Sequence, residues 1–212
     1  MKYSFKNDYS EGAHPSILNA LSTTNIVQVE GYGLDDYSIK ASDLIKKIIK
    51  NPDADIHFVS GGTQANLIAI SSILKNYESV IAAKTGHIAV HEAGAIEATG
   101  HKIIEVDTDD GKLTPDLIKN VLDSHTDEHM VLPRLVFISN STEIGSIYKK
   151  KELYAISKFC KNNNLYLYLD GARIGSAITS KKNDLKLHEL SSMVDIFYIG
   201  GTKNGALLGE AI

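Results

Sequence analysis

Short apolar runs alternate along this chain with stretches of helical periodicity, and that alternation constrains the fold more than any other feature. Runs at 56–59, 80–83, 102–106, 134–139, 165–169 and 195–199 have the length and the branched or aromatic content of buried strands. Between them, residues 36–50 carry Ile39, Leu44, Ile45, Ile48 and Ile49 on one side, and residues 63–75 place Leu67, Ile70 and Leu74 at helical spacing. Thr114, Pro115 and Asp116 supply a cap, a first-position proline and an acidic first turn for a helix running to residue 122. Residues 149–161 predict another helix, closed by the turn Asn162-Asn163-Asn164. Strand and helix in alternation predict an α/β fold, a mostly parallel sheet flanked by helices. Right-handed crossovers would then gather function at the carboxyl ends of the strands. Residues 1–35 read as an irregular N-terminal segment and residues 36–212 as one domain.

Composition narrows the class. Of the 212 residues, 43% are hydrophobic and 23% charged, which is globular and far from disordered or membrane composition. The net charge of −4, with no basic block, argues against nucleic acid as the main partner. No apolar run approaches the roughly 20 residues of a membrane helix, and Met1 to Phe5 opens no signal peptide. The lone Cys160 has no disulfide partner within the chain and reads as a small packing residue. A cytoplasmic protein without membrane contact is the expectation. The chain stops inside an apolar run, 206–212, and so reads as a fragment.

Two strand ends carry the chemistry. Lys203 sits in Gly-Gly-Thr-Lys-Asn-Gly directly after the 195–199 run, and Asp170 closes the 165–169 run in Asp-Gly-Ala-Arg. An amine and a carboxylate so placed are what a pyridoxal 5'-phosphate site needs: the lysine forms the Schiff base and the aspartate keeps the pyridine nitrogen protonated. Asp170 reads equally as a helix N-cap or as the salt-bridge partner of Arg173. The turn Ser60-Gly61-Gly62-Thr63-Gln64, leading into a helix, offers backbone N–H groups and hydroxyls to a phosphate monoester, or is simply a tight turn. Arg173 has the planar fork that grips an amino-acid carboxylate. His87 and His91, four apart with Glu92 beside them, raise zinc, but no third histidine lies nearby and the zincin order is absent, so no metal is expected. The sharper reading lays the His87 imidazole flat on an aromatic cofactor, and an ordinary half-buried histidine is the plain alternative. His129, between acidic neighbours, reads as a catalytic base or as a surface residue. Asn140, in the polar cluster 139–143, reads as a cofactor ligand or as part of an Asx turn.

In that order, these motifs resemble the low-specificity threonine aldolases of the β-eliminating lyase group. Asn7-Asp8-Tyr9 looks like the family's Ser-Asp-Thr entry, and Gly62-Thr63-Gln64-Ala65-Asn66 is similar to its phosphate turn. His87 with Glu92, the spacing from His129 to Asn140, Asp170-Gly171-Ala172-Arg173 and Lys203 all fall at family positions. The resemblance implies the aspartate aminotransferase-like fold, and retro-aldol cleavage of β-hydroxy amino acids such as threonine to glycine and an aldehyde. It gives Lys203, His87, His129 and Asp170 catalytic roles. Gly62, Thr63, Gln64, His87, Asn140, Asp170 and Lys203 would hold cofactor, while Asn7 and Arg173 would hold substrate. It implies a homodimer or homotetramer, and a smaller C-terminal domain that this chain lacks. The same lysine, aspartate and arginine frame serves β-elimination or amino transfer, and a non-catalytic α/β module is the alternative of another class. Departures fall at Asn7, which replaces a serine, at His91, and around Lys203, where Thr202-Lys203-Asn204-Gly205 replaces Ser-Lys-Gly-Leu.

Overall fold

The computed structural model describes residues 4–212; Met1, Lys2 and Tyr3 of the opening stretch lie outside them. In chain order the elements are α1 (Pro15–Thr24), α2 (Asp36–Ile49), β1 (Phe58–Val59), α3 (Gly62–Ile73), β2 (Glu78–Ala83), α4 (His87–Val90), α5 (Ala95–Ala98), β3 (Lys102–Val106) and α6 (Pro115–Ser124). Then follow β4 (Leu132–Ser139), α7 (Lys150–Asn162), β5 (Tyr166–Asp170), α8 (Ile174–Thr179), α9 (Leu187–Ser191), β6 (Ile196–Phe197), β7 (Ile199–Gly200), a 3₁₀ turn (Thr202–Asn204) and β8 (Glu210–Ala211).

The long helices start and stop where local chemistry dictates. Asp35 accepts the Ser38 N–H at 2.9 Å to open α2, and Lys50, in the left-handed region, closes it by donating to the Lys46 and Lys47 carbonyls. Thr114 accepts the Leu117 N–H to open α6, with Pro115 in its first turn.

Five strands pair in parallel in the order β3-β2-β4-β5-β6. The chain leaves β2 toward β3, then returns to the other side of β2 for β4. The carboxyl ends of β2 and β4 therefore flank a switch point, where open sheets of this kind leave a crevice. Strand residues alternate between two cores. Ile81, Val136, Ile138 and Leu169 pack with Ile118, Leu153, Ile156 and Cys160, while Val80, Ala82, Phe137 and Tyr168 pack with Ala65, Ala69 and Ile70 of α3. Burial pushes the Cys160 thiol up to about 12, as expected of a packing cysteine.

Three expectations need correction. The run at 56–59 does not join the parallel sheet: β1 pairs antiparallel with β8, which also pairs with β7, in a separate three-stranded sheet. The apolar run at 206–212 supplies β8, that sheet's central strand. The expected single strand at 195–199 breaks at Tyr198, with β6 serving the large sheet and β7 the small one. The first 35 residues are not wholly irregular, since α1 forms after a turn in which His14 Nδ1 accepts the Ser16 N–H at 3.3 Å. None of the residues of α1 is buried, so helical spacing there shows no apolar face turned to a core.

Candidate active site

A cavity of about 220 Å³ opens at the carboxyl edge of the parallel sheet. Its lining includes His87 beyond β2, Ser139 and Glu143 at the end of β4, Asp170 and Arg173 at the end of β5, and Tyr198, Thr202 and Lys203 beyond β6. A further side is the turn Ser60 to Thr63. Lys203 and Asp170 therefore face one space. Across the switch point, the His87 backbone N–H donates to Glu143 Oε1 at 2.9 Å, and the Ser139 hydroxyl donates to the same oxygen at 2.7 Å.

The inner wall is a buried polar chain. Asp170 is 4% exposed. Its Oδ1 accepts from the Tyr198 hydroxyl at 2.7 Å and from the Ala172 N–H at 2.9 Å, while Oδ2 has one long contact, 3.4 Å, from Asn66 Nδ2. Asn66 Nδ2 also donates to Glu92 Oε1 at 2.6 Å, and Asn66 Oδ1 accepts from the Tyr168 hydroxyl at 2.8 Å. His87 Nδ1 lies 2.9 Å from that same Glu92 oxygen. Burial raises the Tyr168 and Tyr198 phenols well above their ordinary value, with Asp170 adding to it, so both hydroxyls stay protonated and can donate. Glycine is obligatory at 171, where a Cβ on Gly171 would sit 1.7 Å from the Tyr198 carbonyl oxygen; one on Gly62 would crowd the Tyr198 hydroxyl at 2.9 Å.

The outer wall is built from the N-terminal segment. Arg173 does not pair with Asp170. Its Nε–H and one Nη2–H donate to the two carboxylate oxygens of Asp8, the Nη2 contact at 3.0 Å. The Asp8 hydrogen bond is the main reason the guanidinium is held above its usual range. Partial burial raises the Asp8 carboxyl, but Arg173 outweighs it and the net shift is downward. Lys203 Nζ lies 5.7 Å from the centre of the Tyr9 ring, within cation–π range.

A phosphate fits the turn before α3. Gly61 gives that helix no side-chain cap, so the first-turn N–H groups of Gly62, Thr63 and Gln64 keep their capacity for an anion. The Gln64 side chain is committed to the turn itself, accepting from the Ser60 N–H and hydroxyl at 2.8 Å each. Thr202 Oγ1, buried on the cavity wall, has no hydrogen-bond partner, an orphan that a phosphate oxygen would satisfy.

One expected site residue lies elsewhere, and two lie beside the cavity without lining it. His129 is exposed in the turn before β4, at the opposite end of that strand from Ser139, roughly 20 Å away at strand rise. It cannot act as a base in this cavity from within the same chain. Asn140 is 1% exposed and sits between the lining residues Ser139 and Ser141; its Oδ1 accepts the Tyr148 N–H at 3.4 Å, and its Nδ2 is buried without a hydrogen-bond partner. Asn7 is exposed, and its Oδ1 accepts from the Tyr9 N–H and the Ser10 hydroxyl. His91 caps α4, its ring centre 5.6 Å from that of His87. Among the described residues, no three His, Cys, Asp or Glu side chains gather to hold a metal. The reading from sequence missed Asn66, Tyr168 and Tyr198. The available signal was polarity inside apolar periodicity, such as an asparagine between Ala65 and Ala69 on the inward face of α3.

Comparison with known proteins points the same way. A family model described as beta-eliminating lyase matches residues 11–209. A low specificity L-threonine aldolase of a Pseudomonas species is 36% identical over 98% of this chain and 60% of its own length. The Escherichia coli K12 protein of the same description is 29% identical over 84% of this chain and 54% of its own. The solved structure of a Leishmania major threonine aldolase superposes with a TM-score of 0.98 at 52% identity, covering 99% of this chain and 61% of that one. The chain thus spans about 60% of the length of these first relatives.

Proposed function

The chain belongs to the beta-eliminating lyase family, which works with pyridoxal phosphate, and from that premise we propose that it serves the reaction of the threonine aldolases. That reaction cleaves β-hydroxy amino acids such as threonine to glycine and an aldehyde. When bound, pyridoxal phosphate supplies an aldehyde carbon for capture by an amine and a protonated ring that draws electrons from the amino acid. The α3 terminus and the Thr202 hydroxyl would hold its phosphate, and Lys203 its aldehyde carbon. Asp170 would hold the ring nitrogen's proton through Oδ2, the oxygen left nearly free while Tyr198 and Ala172 occupy Oδ1.

Arg173 would orient the substrate. Asp8 occupies the side-on fork of Nε and Nη2, which leaves both Nη1 hydrogens and the second Nη2 hydrogen for an end-on carboxylate. His87 would form the wall against the ring and take the β-hydroxyl proton at Nε2, since Nδ1 is engaged with Glu92. Assembly into a homodimer or homotetramer is supported by the exposed Leu18, Leu21, Leu44 and Ile48 on α1 and α2, which a second copy could cover.

The observation that carries this reading is the convergence of Lys203, Asp170, His87 and Arg173 on one cavity beside an uncapped helix terminus. Incubation with pyridoxal phosphate, borohydride reduction and peptide mass spectrometry should place the adduct on Lys203. Threonine should give glycine and acetaldehyde, and Asp170→Ala should lower turnover about 10²–10³-fold. An unmodified Lys203, or 2-oxobutanoate and ammonia as the products, would overturn it.

A further inference from the structure

Glu92 is buried, and among the described residues the one cation that can pair with it is His87 when its ring is protonated. Its Oε1 accepts from Asn66 Nδ2 at 2.6 Å and faces His87 Nδ1 at 2.9 Å, while its Oε2 is buried without a partner. With Glu92 as a carboxylate, which only accepts, the His87 proton sits on Nδ1, and in the neutral ring Nε2 is then the bare nitrogen. Asn66 is fixed in turn. It is 0% exposed, and its Oδ1 accepts from the Tyr168 hydroxyl, which stays protonated. Turning the amide over would aim Oδ1 at Glu92 and Asp170 together, two carboxylates whose nearest oxygens stand within about 6 Å of each other.

We propose that Tyr168, Asn66 and Glu92 form a relay that sets the His87 tautomer, making Glu92–His87 the general-base dyad of the site and Asn66 its positioning residue. The proposal deepens the reading above and rests on it for the identity of the proton removed. In the step, the substrate O–H bond breaks as an Nε2–H bond forms, and the resulting imidazolium keeps Nδ1–H on the Glu92 carboxylate. The other groups facing His87 leave this assignment unchanged. Glu143 is engaged by the backbone N–H of His87, His91 meets it only ring to ring at 5.6 Å, and Asp170 reaches it only through Asn66. Asn66 also links the aim of Asp170 to that of His87, so the groups meeting opposite ends of the reaction share one amide.

The test reads the tautomer directly and needs no cofactor. In ¹⁵N-histidine-labelled protein, at a pH where the ring is neutral, His87 should show a protonated, slowly exchanging Nδ1 and a bare Nε2, assigned by loss in His87→Gln. Asn66→Ala should mix the tautomers and speed exchange of the Nδ1 proton at least about tenfold. In the loaded enzyme it should lower kcat about tenfold or more with KM little changed. Tyr168→Phe, which keeps the ring and removes only the hydroxyl, should give an intermediate exchange rate and decides the matter if Asn66→Ala does not fold. A wild-type His87 carrying its proton on Nε2, or variants with the wild-type Nδ1 signal and exchange rate, would overturn the relay. Lys203 labelling is unaffected by either result, so failure of the relay and failure of the proposed reaction are separable.

Discussion

The two walls of the cavity are built on different principles. The inner wall hangs Asp170 and Tyr168 on β5, Asn66 on a long helix and Tyr198 on the break between β6 and β7, buries each, and joins them side chain to side chain. The outer wall hangs Asp8 and Tyr9 on an N-terminal segment and Arg173 at a helix start, and its one ion pair is a third to half exposed. A buried hydrogen bond to a charged group is strong and costly to lose, whereas a solvent-facing pair is screened and weak. The inner wall is therefore pre-set and the outer wall adjustable, which under the proposed function would suit a cofactor that stays and a substrate that leaves.

The contrast is most easily broken at Gly171. With a Cβ 1.7 Å from a backbone oxygen, Gly171→Ala must push β5 away from Tyr198, at a cost of roughly 3 kcal/mol or more. Urea denaturation should show that loss, or the variant should fail to accumulate; a wild-type midpoint would mean that the inner wall yields. Tyr198→Phe comes next. It removes a 2.7 Å hydrogen bond to a buried carboxylate and should cost about 1.5–3 kcal/mol by the same measurement.

Asp8→Asn should cost less than about 1 kcal/mol, because the pair it disrupts is partly exposed. A loss as large as that of Tyr198→Phe would erase the difference between the walls. The smallest effect is that of acid on the same pair. The folded Asp8 carboxyl is depressed below the 3.8 of an unfolded aspartate, so its contribution is fully present above that value and is lost as pH falls through the lower folded value. Limited proteolysis of the segment before α1 should stay constant from neutral pH down to about 4 and rise below it. A rise near pH 6 would point to a histidine instead.

Much of the large sheet was legible because its strands are bounded by glycine, asparagine and capped helices. The expected run at 102–106 coincides with β3, and that at 134–139 lies inside β4. The small antiparallel sheet was not legible, since β1, β7 and β8 are each two residues long and β1 pairs with β8 from the far end of the chain. Lys203, Asp170 and His87 could be picked out because each ends an apolar run or opens a helix at the edge where function gathers. His129 misled because spacing along a chain does not say which end of a strand a residue faces.

Sequence by itself determined the class of sheet, the edge at which the cavity opens, and the amine and acid that line it, because periodicity and strand ends are local properties. Only tertiary structure decided that Arg173 turns to Asp8 rather than Asp170, that Asn140 faces inward, and that Asn66 ties Glu92 to Asp170. Those outcomes depend on which buried donors find acceptors across tens of residues. That competition is settled by the cost of leaving a polar group unpaired in the interior, and it has no signature in any short window of sequence.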